Sequence, residues 1–257
     1  MRKLLLGLPM LLAATSANAA EIGGKEVNIT VGVDYVDEYV FRGFSFADDS
    51  LQPYVEAGIG NFTVGMWANS PMGDDADFGT DEIDLYASYG FELGSSGLAG
   101  SIGGTYYHFP EGDGFFDTDG GATGTYEINA GLSLDNVFAP AVTAYYDFTL
   151  EAFTIEGSVG YDLVETSDRS SIGLGVTGGF VDANDTSTDD YAWLTASAGW
   201  SFELTDDAAF NAGVNYSVNT DRNTLGFSSP IGPDGVEIFE NDGTDLFWSG
   251  VGFSAGF

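Results

Sequence analysis

The sequence predicts an all-β fold: a transmembrane, antiparallel, up-and-down β-barrel of about 12 strands, with ten or fourteen as the neighbouring counts. Three observations predict it. Segments of strict apolar/polar alternation recur along the chain, each giving a strand with one apolar face. The gaps between these segments alternate between short and long, except that two in the long series, near 45–51 and at Glu151-Ala152, are shorter. No run of 18 apolar residues follows the first segment, so helices cannot do the spanning.

The chain opens on a secretory signal. Arg2 and Lys3 form its positive start, Leu4 to Ala14 its apolar core, and Ala17-Asn18-Ala19 a small-x-small cleavage site. The apolar core is too short to span a bilayer and carries Pro9. Residues 1–19 are read as the signal and 20–257 as one barrel domain. Two of the 6 basic residues leave with the signal, so four face 40 acidic ones, a net charge of −36. That charge excludes nucleic acid as a partner, because phosphate contacts need a basic surface. It suits solvated loops, cations and divalent bridges to anionic headgroups, or adaptation to a salty habitat. There is no Cys, so neither disulfides nor thiolate metal ligands enter.

Taken in order, the first strand is expected near 27–42, with Val27, Ile29, Val31, Val33 and Tyr35 on one face. The second (Val55, Ala57, Ile59) turns at Gly60-Asn61 into the third (Phe62, Val64, Met66, Ala68). The fourth carries Ile83, Leu85, Ala87, Tyr89 and Phe91 opposite Glu82, Asp84, Tyr86 and Ser88. The fifth (98–108) is Gly-rich, and the sixth presents Tyr126, Ile128, Ala130, Leu132 and Leu134. The seventh has Val142, Ala144, Tyr146 and Phe148; the eighth Phe153, Ile155, Val159, Tyr161 and Leu163. The ninth has Ile172, Leu174, Val176 and Phe180; the tenth Leu194, Ala196, Ala198, Trp200 and Phe202. In the eleventh, Phe210, Ala212, Val214, Tyr216 and Val218 alternate with Asn211, Gly213, Asn215, Ser217 and Asn219. The twelfth is 247–257, where Phe247, Val251, Phe253, Ala255 and Phe257 share one face. This stretch resembles the terminal strand of bacterial outer-membrane barrels, in which a final Phe is characteristic. The resemblance implies that Phe257 is an assembly signal read by the barrel assembly machinery.

The connections supply a separate argument. Short gaps fall at 60–61, 93–97, 135–139, 164–169 and 205–207, and long acidic ones at 69–80, 109–123, 181–190 and 220–244. Outer-membrane barrels sort their loops in this way, with short turns on the periplasmic side. On the tenth strand, Tyr191 and Trp193 at one end and Trp200 and Phe202 at the other read as interfacial girdles.

The inward faces collect carboxylates: Asp34, Glu38, Glu56, Glu82, Asp84, Glu127, Asp147 and Glu156, mostly in the outer half, with Glu92 and Asp162 deeper. Such acids either form a cation-favouring constriction or a solvated wall. Arg42 continues the alternation of Glu38 and Val40 and is expected to point inward in a bidentate pair with a carboxylate, as a structural clamp or else in direct solute selection. Tyr39-Val40-Phe41-Arg42-Gly43-Phe44-Ser45 resembles the aromatic-Arg-Gly signature of the TorF-type outer-membrane porin family. Gly65-Met66-Trp67-Ala68-Asn69 is similar to that family's third strand, and Phe46 departs from its pattern. The resemblance implies a channel without naming its cargo.

Acid clusters in the loops, including Asp117 and Asp119, are weak metal candidates, since none has the spacing of a calcium loop. The only histidine, His108, has no marked Ser partner, so no catalysis and no cofactor are expected. The reading is a porin-like channel for passive diffusion of small solutes, cation-preferring, in contact with outer-membrane lipid. The alternative is a non-conducting structural or adhesive barrel with acidic external loops. The sequence carries no marker of oligomeric state.

Overall fold

A computed structural model describes residues 20–22, 25–72, 81–110, 114–116, 124–167, 169–183, 190–220 and 245–257. Its strands are β1 (Ala20–Ile22), β2 (Lys25–Val36), β3 (Tyr39–Phe41), β4 (Phe44–Ala47), β5 (Ser50–Ile59), β6 (Phe62–Pro71), β7 (Glu82–Glu92) and β8 (Leu98–His108). They continue with β9 (Gly124–Leu134), β10 (Ala141–Asp147), β11 (Ala152–Ser167), β12 (Ser170–Ala183), β13 (Tyr191–Thr205), β14 (Ala208–Asn219) and β15 (Asp245–Gly256). Twelve of them, β2 and β5 to β15, pair antiparallel with their sequence neighbours and close on themselves. Closure is made where β15 meets β2, from Gly250↔Val36 to Gly256↔Thr30. The backbone of Phe257 extends that seam: its N–H donates to Ile29 at 2.8 Å, and its carbonyl accepts from Ile29 at 3.1 Å. Short β1 pairs with residues 25–27 of β2, on the edge that β15 has left. Closure leaves no unpaired edge, which the hydrocarbon core of a bilayer requires.

The alternation sorts side chains as a membrane barrel needs. Ile102, Ile128, Leu194, Val214 and Phe253 stand exposed on the outer wall, while Asn211, Asn215 and Ser217 are buried on the inner one. An inside-out pattern of this kind would aggregate in water and is stable in lipid. Taking the tight turns at Gly60, Gly94 and Gly97 as periplasmic, the longer connections all fall at the other, external rim.

Two expectations need correction. The first strand does not run to 42. It stops at Val36, and residues 37–49 fold back as the β3–β4 hairpin, whose side chains are buried inside the barrel. Its turn is Arg42–Gly43, with φ of 48° and 85°, the two positive values that a two-residue type I′ turn demands. The second correction concerns Tyr191 and Trp193. They share the inward parity of Thr195 and Ser197 and are buried against Phe44 of the hairpin, so they form no girdle. Trp200 and Phe202 do face outward, their rings tilted at 30° with centroids 5.9 Å apart.

The inner wall also admits large rings by pairing them with glycine. Tyr54 lies over its partner Gly32, Tyr86 over Gly65 and Trp193 over Gly179. A Cβ at any of the three glycines would come within 2.3 Å of the ring.

Lipid exposure sets a measurable cost. Ile128→Arg, near the middle of β9, is expected to destabilise the folded barrel by about 2–4 kcal/mol. Ser133→Arg on the lumen face of the same strand should stay within about 0.5 kcal/mol. Urea titration of barrels refolded into vesicles separates the two.

Candidate functional site

The hairpin reaches three separate sectors of the wall. Towards β5, β6 and β7, Tyr39 packs in a cluster with Tyr54 and Trp67, at 5.4 Å from the Trp67 ring. Its hydroxyl donates to Glu82 Oε2 at 2.8 Å. Towards β12, β13 and β14, Phe44 meets Tyr191 edge-on at 4.6 Å. Asn219 Nδ2 donates to the Gly43 carbonyl at 2.7 Å. Gly43 is forced twice over: its φ is left-handed, and a Cβ there would stand 2.6 Å from Trp193 Cβ. Phe46 and Phe41 pack edge to face between these anchors, 6.0 Å apart.

The third anchor is Arg42, which projects from the turn onto β8–β11. One terminal nitrogen, Nη2, donates to both oxygens of Glu127, at 3.0 and 3.1 Å. The expected Arg–carboxylate clamp is present, but as one nitrogen shared between two oxygens, and the arginine arrives on a turn and not along a wall strand. Its guanidinium carbon lies 4.7 Å from the Phe41 ring centre and 4.6 Å from that of Tyr145. Tyr107 Oη donates to Glu127 Oε1 at 2.8 Å, and Tyr145 Oη donates to Glu156 Oε1 at 3.5 Å. Burial works against the charged guanidinium, and Glu127 first, then Tyr107, Tyr145 and Glu156, more than offset this, so its pKa lies above the ordinary value.

The other carboxylates divide by what holds them. Glu82 and Asp84 are inward neighbours on β7, 5% and 8% exposed, and Asp84 Oδ1 is buried with no donor among the described residues. Glu56 accepts from Tyr86 Oη at 3.2 Å, three residues from the periplasmic end of β5 and not in the outer half. Asp34 faces inward over Gly252. Glu38 lies in the turn before the hairpin, where burial pushes its carboxyl up and the Ser45 side chain opposes the rise. Asp147 does not line the lumen freely. It is the cap of the β10–β11 turn, with Oδ1 accepting the Thr149 and Leu150 N–H groups at 2.8 and 2.7 Å. His108 sits on the outer face at the external rim, 4.2 Å from the Phe115 ring, as an interfacial residue would.

Among the described residues, no group of three or more Asp, Glu or His is arranged to hold a metal ion. Asp117 and Asp119 lie outside the described residues. The aromatic lining and the hairpin escaped the sequence reading, although signals for both were present. Gly43 sits between two short apolar runs as a two-residue turn would, and Trp193 and Trp200 differ in parity.

The family of bacterial proteins named Gcw_chp, described as of unknown function, matches residues 19–244. The chain belongs to that family. Among solved structures, the NanC porin is similar at 12% identity and a TM-score of 0.54, over 88% of this chain and 98% of its own. The KdgM porin in complex with disordered oligogalacturonate is similar at 10% identity and a TM-score of 0.53, over 90% and 99%. Likeness at this level shows the fold, that of an outer-membrane porin barrel. Comparison with curated proteins finds no match.

The hairpin's three anchors make its docking testable. In the folded barrel the bond after Arg42 should resist trypsin. Glu127→Gln and Gly43→Ala should each loosen the hairpin and raise the cleavage rate there by at least about tenfold, the ratio for a loss near 1.4 kcal/mol. Mass spectrometry of the fragments measures it.

Proposed function

We propose that this Gcw_chp chain is a porin-like outer-membrane channel of the TorF type, passing small solutes by passive diffusion with a preference for cations. The observation that carries the reading is the charge of the lumen. Glu56, Glu82, Asp84, Glu127 and Glu156 face inward on the wall, against Arg42 on the hairpin. A passage lined in this way concentrates cations and repels anions. No chemistry is assigned to it, and we read it as a transport protein and not as an enzyme. A second reading is a non-conducting barrel with a structural or adhesive role. The hairpin favours it, because its anchors on opposite sectors of the wall place three phenylalanines across the passage.

Single-channel recording in planar bilayers decides between the two. A conducting wild type with a cation-shifted zero-current potential in a KCl gradient supports the channel. The shift should shrink at high salt, because the Debye length falls from about 10 Å at 0.1 M to about 3 Å at 1 M. Glu82→Gln with Asp84→Asn should move the potential toward that of an unselective pore. A silent wild type that conducts only when residues 38–46 are replaced by a short Gly-Ser link would establish the hairpin as a plug. Silence in both supports the structural reading.

Assembly rests on the seam. Phe257→Ala removes an outward-facing ring beside the Ile29 hydrogen bonds, and we expect it to lower the yield of inserted barrel severalfold. The heat-modifiable band on gels reads that yield. An unchanged band would remove Phe257 from the assembly signal.

A further inference from the structure

The wall beneath Arg42 is a recognition site in its own right. Tyr107, Glu127, Tyr145 and Glu156 come from four consecutive strands, β8 to β11, and all face inward. They are tied in two pairs: Tyr107 bonds Glu127 at 2.8 Å and Tyr145 bonds Glu156 at 3.5 Å. The ladder that fixes their backbones runs independently of the hairpin, so the group does not need Arg42 to keep its shape. Its composition is two carboxylates beside an aromatic face, the set that selects a planar organic cation. A guanidinium occupies it, 4.6 Å from the Tyr145 ring and 3.0 Å from Glu127. Two carboxylates against one cation leave a formal negative excess, so the site is not neutralised by its occupant.

That occupant is held under strain. Arg42 has φ 48°, a left-handed conformation that a non-glycine side chain adopts at a cost of roughly 1–2 kcal/mol. Resting on the channel reading above, we propose that Tyr107, Glu127, Tyr145 and Glu156 form a binding site for the guanidinium or ammonium group of a cationic solute. Arg42 is its internal stand-in, and such a solute displaces it. Displacement frees the hairpin tip, so the solute class that binds the site also opens its own passage. A tethered occupant competes at an effective concentration near the millimolar range, which weakens the apparent affinity of any free cation.

The probe is methylguanidinium chloride, titrated into the complete refolded barrel in detergent, with NaCl at equal ionic strength as control. Binding is read by calorimetry. It is read also by tryptophan fluorescence, since Trp67 and Trp193 touch the hairpin. Arg42→Gln should bind methylguanidinium at least about tenfold more tightly than wild type, because the tethered competitor is gone. Adding Glu127→Gln to that variant should abolish the gain. Arg42→Gln binding no tighter than wild type, or a response to methylguanidinium equal to that to NaCl, would overturn the proposal. Should Arg42→Gln fail to give a heat-modifiable band, Arg42→Lys replaces it. That variant keeps the charge but loses the planar fork, and a gain of at least about threefold is expected. Bilayer recordings separate this site from the channel reading. Tight binding without conductance in any variant retains the site and removes the channel, and conductance without binding does the reverse.

Discussion

Everything in this molecule depends on the pairing of β15 with β2. A bilayer offers no water to an unpaired N–H or carbonyl, so a sheet that crosses it must close or not cross. Here closure joins strands more than 200 residues apart in sequence, and the local β-ladders gain their lipid-compatible form only once that distant pair is made. The seam is reinforced beyond the ladder. The Asp37 carboxylate accepts from the Ser249 N–H at 2.6 Å and from its hydroxyl at 2.7 Å, just above the last register pair. The chain then turns directly into the inward hairpin. The segment that closes the wall externally is therefore the segment that fills the lumen.

Filling the lumen creates a second, polar problem inside the first. The inner wall carries carboxylates that a dry core could not hold, and the hairpin brings the groups that meet them: a tyrosine hydroxyl to Glu82 and a guanidinium to Glu127. Phe41, Phe44 and Phe46 pack against the ring side chains of the wall, so the interior alternates apolar layers with hydrogen-bonded acids. Such an interior is held at a few points, and loss of one anchor is felt at the others.

Most of the wall was legible because a side-chain period of two leaves little choice once one face must meet lipid. From Val55 to Phe253 the outward residues are the ones the alternation selects. The lumen was less legible, since its faces carry no single polarity. Trp193 and Trp200 look alike as strand-end aromatics, yet seven residues apart they have opposite parity, and only Trp200 can meet the membrane. Asp147 has inward parity, but the four-residue turn before the next strand at Ala152 leaves backbone N–H groups for its carboxylate to cap. Arg42 reaches the interior by a route that strand alternation does not describe. Alternation took it along a strand, whereas the positive φ of Arg42 and Gly43 carries it across the interior on a turn. Long-range placement of that kind has no local periodicity to announce it.

The glycines beneath Tyr54, Tyr86 and Trp193 carry a consequence of their own. Each ring lies against bare backbone and so occupies the interior by its thickness rather than its length. A cylinder lined in this way can be strongly aromatic and still keep a wide bore. Its calibre is then set by which inward positions on the neighbouring strands lack a Cβ, and exchanging one of these glycines for alanine would lift a ring off the wall and narrow the bore while every other lumen-facing side chain stays as it is.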